Sequence, residues 1–307
     1  MQTILGAGGN IGVALARLLP GYTDRVRLVS RHPKATNDLD EVLAADLRNK
    51  SEVLAAVAGS DVVYLTVGLK YSAGVWKRYW PVIMENVLDA CEFHRARLVF
   101  FDNVYMYDCE ALSHMTEQTP IKPCSAKGQV RAQLVRMLTE RVEQGRVEAL
   151  VARSADFYGP GNTNSVLLET VYHNLKAAKT ANWLASDQYV HSFTYTPDAA
   201  EATALLGNTP EVYNQVWHLP TSSERLNGRE WVELIAQALG VKPSYRIVSH
   251  LMVRMIGLFV PIMAETREMM YQYDRDYFFD SSKFEDHFDY TPTDYATGIA
   301  TIIEQDQ

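Results

Sequence analysis

The chain has 307 residues, enough for one large domain or two smaller ones, either of which can bury an ordinary core. Its 29 Lys and Arg against 37 Asp and Glu leave a formal charge of −8, which argues against a general nucleic-acid or anionic-membrane surface. Cys91, Cys109 and Cys124 are too few and too widely spaced for a disulfide framework or a zinc site, so a reducing, cytoplasmic setting without a metal is expected.

In chain order, TILGAG (3–8) reads as a strand, and NIGVALARLLP (10–20) carries apolar residues at helical spacing. No usual signal peptide is expected, because this motif already begins by Gly6. RVRLVS (25–30) is a second strand, SEVLAAVAGS (51–60) a helix, DVVYLTVG (61–68) a strand and VWKRYWPVIMENVLDACEFHR (75–95) a longer helix. ARLVFFDNVY (96–105) returns to strand, KGQVRAQLVRMLTERVEQ (127–144) to helix, and VEALVARSADFYGPG (147–161) is a strand running into a turn. Strand–helix units with short connections predict a parallel sheet covered on both faces, with ligands beyond the carboxyl ends of its strands. After Gly161 the rhythm changes: 164–178 and 228–240 look helical, and VYNQVWHLP (212–220) looks like another strand. The longest apolar run, LMVRMIGLFVPIMA (251–264), is interrupted by Arg254 and too short to span a bilayer.

GAGGNIG (6–12) follows a strand and opens a helix, the context a dinucleotide-binding turn needs. Glycine matters there because a Cβ would keep the pyrophosphate from the backbone N–H groups at the helix start. Gly6, Gly9, Asn10, Ile11 and Gly12 are therefore the expected cofactor contacts. An NAD-selective site usually ends the second strand with an acidic residue on the ribose hydroxyls. Here that position is Ser30, followed by Arg31, which could pair with the 2′-phosphate of NADP. NADP is preferred and NAD is the alternative. Asp46, before Leu47, could cap the next segment or accept from the adenine amine.

These segments together resemble the extended short-chain dehydrogenase/reductase superfamily, the NAD(P)-dependent epimerases and dehydratases, including its atypical members. The matching pieces are GAGGNIG, Asp46-Leu47, YLTVG (64–68), Asn86 in MENVLDAC, LVFFDNVYMY (98–107), Lys127, RSADFYGPG (153–161) and HSFTYTPDAAEA (191–202). The resemblance implies a Rossmann-type, doubly wound α/β domain at 1–160, with return strands near 190–220. It also implies a smaller, mainly substrate-binding portion at 161–307, and an active site between the two. It implies a catalytic Asn, Ser or Thr, Tyr and Lys, in which the lysine holds the nicotinamide ribose and lowers the tyrosine pKa.

The chain departs from that set. Asn103 takes the serine slot, and Pro123 stands four residues before Lys127, where the tyrosine belongs. Pro123 could start the helix, since proline needs no N–H there, but it cannot move a proton. Asn86 and Lys127 remain. Asn103 could polarise a carbonyl through its amide or simply end a strand. Lys127 reads as a cofactor ligand or a surface lysine. Tyr105 and Tyr107 could supply the missing proton or be packing residues, and Tyr158 and Tyr195 resemble positions close to the pocket. His191 and His218 read as hydrogen-bonded structural histidines. The segment 263–279 offers Glu265, Met269, Tyr271 and Tyr273 for the substrate side.

Two functions follow. One is an NAD(P)-dependent oxidoreductase or epimerase-like enzyme with a degraded tetrad, acting on a small carbonyl or sugar-type substrate. The other is a non-catalytic NAD(P)-binding sensor. The partners expected are a small-molecule substrate and, from the resemblance, a second copy in a homodimer; no nucleic acid and no membrane are expected.

Overall fold

The computed structural model describes residues 1–306. Its strands are β1 (Gln2–Leu5), β2 (Val26–Ser30), β3 (Glu41–Ala44), β4 (Val62–Leu65), β5 (Arg97–Asp102), β6 (Ala149–Arg153), β7 (Asp156–Tyr158), β8 (Ala181–Leu184), β9 (Phe193–Tyr195), β10 (Val216–His218) and β11 (Tyr245–Val248). Its α-helices are α1 (Asn10–Leu18), α2 (Lys50–Val57), α3 (Ala73–His94), α4 (Ala126–Glu143), α5 (His173–Lys176), α6 (Thr196–Gly207), α7 (Gly228–Leu239), α8 (His250–Ile256), α9 (Pro261–Thr266), α10 (Ser282–Phe288) and α11 (Tyr295–Gln305). Among the described residues no helix is long and apolar enough to cross a membrane.

The chain forms two compact units. The first comprises Met1–Asn103, Lys127–Arg153 and Ala199–Leu219. Its sheet runs in the order β10-β6-β5-β4-β1-β2-β3, and every pairing is parallel. This is the Rossmann-type doubly wound arrangement, with the strand order reversing between β1 and β4. All four residues of β1 and of β4 are buried, as a sheet covered on both faces requires. α1 covers it with Ile11, Leu15 and Ala16, a single stripe at helical spacing.

The second unit comprises Val104–Ala126, Ser154–Asp198 and the described residues from Pro220 onward. β7 pairs with β9 and β8 with β11, both in parallel. Its core is aromatic, built on Tyr158, Tyr172, Trp183, Phe193, Trp231 and Tyr295. α7 opens with a capping box in which Asn227 accepts from the Glu230 N–H and Glu230 accepts from the Asn227 N–H.

Several local expectations are corrected. The strand expected over 147–161 breaks after Arg153 and resumes at Asp156, where the chain has passed from the first unit to the second. The strand expected over 212–220 is only Val216–His218, because Asn214 adopts φ 61° and turns the chain first. The helix expected over 164–178 widens into a π-type segment at Leu168–Tyr172 before α5. Pro123 lies three residues ahead of α4, outside the helix it was expected to start. The reading of the cysteines as too widely spaced to pair is corrected in one respect: Cys109 and Cys124 form a disulfide, and Cys91 is a buried free thiol. A paired Cys109 and Cys124 weaken the ground for a reducing compartment, which rested on the cysteines' number and spacing.

Candidate functional site

The turn from β1 into α1 is built so that its glycines cannot be exchanged freely. Gly6 has φ +107°, and a Cβ on it would lie 2.4 Å from the Cα of Val67, just past β4. A Cβ on Gly12 would lie 2.6 Å from the Gly6 carbonyl oxygen and 2.9 Å from the Ala7 Cα. These contacts are with backbone, which cannot swing aside. They close the loops after β1 and β4 on each other at the point where the strand order reverses. Around Gly8, by contrast, a Cβ would meet nothing within 4 Å. Gly8 and Gly9 are exposed, and Gly9, the N-cap of α1, provides no side-chain cap. The first turn of α1 holds no acidic residue. Helix N–H donors with a positive dipole end, an open approach and no carboxylate in the helix's own first turn suit a pyrophosphate. The residues present fit a dinucleotide, with Asn10 half-buried and Ile11 buried at the helix start.

β2 ends at half-buried Ser30, and Arg31, His32 and Lys34 beyond it are exposed. The carboxylate of β3, Glu41, is engaged by Arg27 at 2.7 Å and by Arg25, and the acid that feels the charge of Arg31 is Asp46. Asp46 does not cap α2; that role falls to Asn49, whose side chain accepts from the Ser51 N–H at 3.1 Å. The Asp46 carboxylate instead accepts from the Arg48 backbone N–H at 3.0 Å and from its guanidinium. The Arg48 guanidinium holds the Asp46 carboxyl low, at about 2. Leu47 is buried, and its carbonyl accepts from the Asn86 side-chain amide at 3.0 Å. Asn86 thus ties α3 to the loop after β3.

At the end of β5, buried Asp102 accepts from Arg131 Nε at 2.6 Å and from Arg153 at 3.4 Å. Half-buried Asn103 follows it in the chain. Lys127 and Arg131 stand one turn apart on the inward face of α4, and both are buried. Lys127 Nζ lies 4.4 Å from the centre of the Tyr71 ring, in cation–π range. The Arg131 guanidinium covers the rings of Trp80 and Phe100 at 4.6 and 4.8 Å. A buried lysine on a helix that faces a sheet differs from the solvated surface residue offered as its alternative. Asp102 and Arg131 escaped the sequence reading; an arginine four residues after Lys127 in KGQVR was the available signal.

In the second unit, Tyr105 is half-buried and Tyr107 buried, the latter bridged to Ile121. Tyr158 and Tyr195 are core residues, with ring centres 5.2 Å apart. Burial pushes the Tyr158 phenol well above its usual range. His191 is the structural histidine expected: it stacks between Tyr273 and Tyr277, both at 4.3 Å, and its Nε2 lies 3.1 Å from Asp156 Oδ2. The Tyr273 hydroxyl donates to the same Asp156 oxygen at 3.0 Å. Tyr271 is half-buried and hydrogen-bonded to Ser125, within the PIKPCSAK segment itself. Burial, with Asp156 and Glu268 adding to it, pushes its phenol up to about 12. Glu268 also accepts the Ala126 N–H at 2.8 Å. Spacing could not single out Tyr271 among 17 tyrosines, because a long-range contact defines its place.

A family model described as the NAD dependent epimerase/dehydratase family matches residues 3–216. Two curated proteins of Arabidopsis thaliana, isoforms 2 and 1 of a 3beta-hydroxysteroid-dehydrogenase/decarboxylase, are 22% and 23% identical over 82% of this chain. The chain spans 49% and 63% of their respective lengths, so each has a large part with no counterpart here. Among solved structures, a dTDP-glucose 4,6-dehydratase double mutant from Streptomyces venezuelae with NAD bound superposes with a TM-score of 0.81. It is 18% identical and covers 99% of this chain and 96% of its own. A UDP-glucose 4-epimerase from Thermus thermophilus, complexed with NAD, gives 0.79 at 16% identity, covering 99% and 98%. At such identities the structural likeness establishes the fold.

Proposed function

The chain belongs to the NAD dependent epimerase/dehydratase family, a family of enzymes, and on that premise we propose that it is an NADP-preferring oxidoreductase or epimerase-like enzyme acting on a small carbonyl or sugar-type substrate. The observation that carries this reading is the β1–α1 turn, whose Gly6 and Gly12 leave no room for a Cβ while Gly8 and Gly9 stay open. Gly6, Gly9, Asn10, Ile11 and Gly12 would hold the pyrophosphate, and Leu47 would line the adenine side. When bound, the nicotinamide supplies hydride transfer to or from a substrate carbon.

Arg31, exposed past β2 with Ser30 where an acid would select NAD, supports the NADP preference. Lys127 contributes a buried cation to hold the cofactor ribose, and Asn86 anchors the loop that carries Leu47. Asn103 is assigned to polarise the substrate oxygen through its amide. Tyr105 and Tyr107 were the sequence candidates for the proton. We assign that role to Tyr271 ahead of them, because it bonds directly into the segment where the family tyrosine is missing. A phenol held near 12 by burial is a donor at neutral pH, which suits carbonyl reduction. The outer face of α3, where Val82 and Phe93 are exposed three turns apart, would carry the homodimer contact.

Pro123 at the tyrosine slot favours the second reading, a sensor that binds NAD(P) without turnover. Fluorescence titration with NADPH and NADH, followed by a screen of carbonyls and nucleotide sugars for NADPH consumption, separates the two. The enzyme reading expects tighter NADPH binding and turnover of at least one substrate class. In Arg31→Ala the NADPH affinity should fall about tenfold and the NADH affinity should not. Equal affinities in the parent protein would overturn the NADP assignment, and binding without any turnover would favour the sensor.

A further inference from the structure

The most exposed apolar surface of the molecule is a single helical hairpin, α8 and α9 with the turn between them. Leu251, Met255, Leu258, Phe259 and Ile262 are 64%, 60%, 77%, 86% and 51% exposed, and Met252, Ile256 and Val260 are exposed beside them. Within α8 only Val253 is buried. An ordinary surface helix turns its apolar stripe inward; this hairpin turns its apolar residues outward, and Leu258 and Phe259 in its turn are the most exposed of them. Scattered exposed apolar residues need no explanation, but a contiguous patch of this size marks an interaction surface.

The charge around the patch says what kind. Between Val241 and Glu268 the chain carries Lys242, Arg246, Arg254 and Arg267, all exposed, against two half-buried acids, Glu265 and Glu268; the balance is 4 − 2 = +2 in a protein of net charge −8. His250, at the base of α8, lies 3.3 Å from Asp274, whose carboxylate also accepts from Arg275 at 2.9 Å. That acid is therefore satisfied by two partners and offsets little of the basic rim. Arg254 stands between Leu251 and Met255 on α8, and its long stem can lie along apolar surface while its head reaches a polar layer.

We propose that the α8–α9 hairpin is a membrane-docking element that seats on an anionic lipid bilayer surface, with Leu258 and Phe259 entering the acyl boundary. Exposed basic residues flanking an apolar segment fit the pattern that lies in the plane of an interface, binding through buried apolar area plus attraction to anionic headgroups. A second copy is a poorer occupant, because a self-complementary contact would bring each basic rim against its own kind. The protein's overall negative charge had argued against a membrane; the net value concealed a segment of the opposite sign. Docking here is peripheral, so the shortness of the run at 251–264 is no obstacle.

The test is co-sedimentation of the full chain with vesicles of phosphatidylcholine alone and of phosphatidylcholine mixed with phosphatidylglycerol. Binding is expected to the mixed vesicles, to weaken with added salt, and to fall at least about tenfold in the double variant Leu258→Asp, Phe259→Asp, since each lost side chain contributes at least that much when buried. Both positions are exposed, so the variant should keep the parent circular dichroism and NADPH affinity. Failure to bind either vesicle, equal binding to both, or binding unaffected by the double variant would overturn the proposal. So would sedimentation velocity showing a dimer that the double variant dissociates, for then a second copy covers the patch.

Discussion

Arg131 donates from Nε to Asp102 Oδ1 at 2.6 Å, and both side chains are almost wholly excluded from solvent. The pair pins the second turn of α4 to the last residue of β5. In one stroke it sets the height of Lys127, one turn before Arg131, and of Asn103, one residue after Asp102. Arg153, the last residue of β6, adds a second contact to the same carboxylate at 3.4 Å. The cationic side of Arg131 is further enclosed by Trp80 and Phe100.

Breaking this pair strands a buried charge. Arg131→Ala should destabilise the protein by about 3–5 kcal/mol, the range for removing one partner of a buried ion pair. Arg136→Ala, which removes an exposed pair with Glu140 one turn along the same helix, should leave stability unchanged within error. Urea unfolding of the two variants measures the contrast; similar midpoints would show that the Asp102 contact carries no special weight.

The glycine turn makes a prediction by position. Gly12→Ala must displace the Gly6 carbonyl, at a cost of about 1–3 kcal/mol for overpacking, and should abolish NADPH binding in a fluorescence titration. Gly8→Ala meets open space and should alter neither property. Loss of binding in both variants would mean that flexibility, and not close approach, is what the loop needs.

Lys127 and Tyr271 should separate kinetically. Lys127→Met keeps the buried stem and removes the cation, so it should raise the NADPH dissociation constant as well as lower turnover. Tyr271→Phe removes one oxygen and should cut turnover by roughly 10²–10⁴-fold, the usual contribution of a positioned acid, with NADPH binding unchanged. Full activity in Tyr271→Phe would return the proton to Tyr105, Tyr107 or water.

Alkaline stability follows from the buried phenols. Burial raises Tyr64, Tyr158 and Tyr277 well above the ordinary tyrosine value, and Tyr271 to about 12. A group whose folded pKa is raised stabilises fully below its unfolded value, about 10 for tyrosine. The contribution drains away as the pH rises above that value toward the folded one, since only the unfolded chain ionises there. Urea midpoints should therefore hold level up to about pH 9 and fall above 10. Tyr277→Phe should flatten that fall; an unchanged slope would show that Tyr277 does not contribute.

Much of this molecule is written in short-range pattern. Alternating apolar runs and helical stripes predict α1, β2, α3 and α4 to within two residues of their ends, and β1 and β5 with C-terminal ends three residues too long, because a covered parallel strand and a sheet-facing helix each impose a period on neighbouring residues. Gly6 and Gly12 announce the turn for a related reason: Gly6 takes a positive φ, and a Cβ on Gly12 would meet the Gly6 carbonyl within the turn itself. What tertiary structure alone decided are relationships over long separations. Arg131 finds Asp102 29 positions away, and Tyr271 meets Ser125 from far along the chain. Tyr158 passes from pocket candidate to core because Tyr195, Trp231 and Tyr295 close around it. The run at 251–264 showed its apolar composition in sequence, but whether it faced a core or solvent depended on what the rest of the second unit left to cover it.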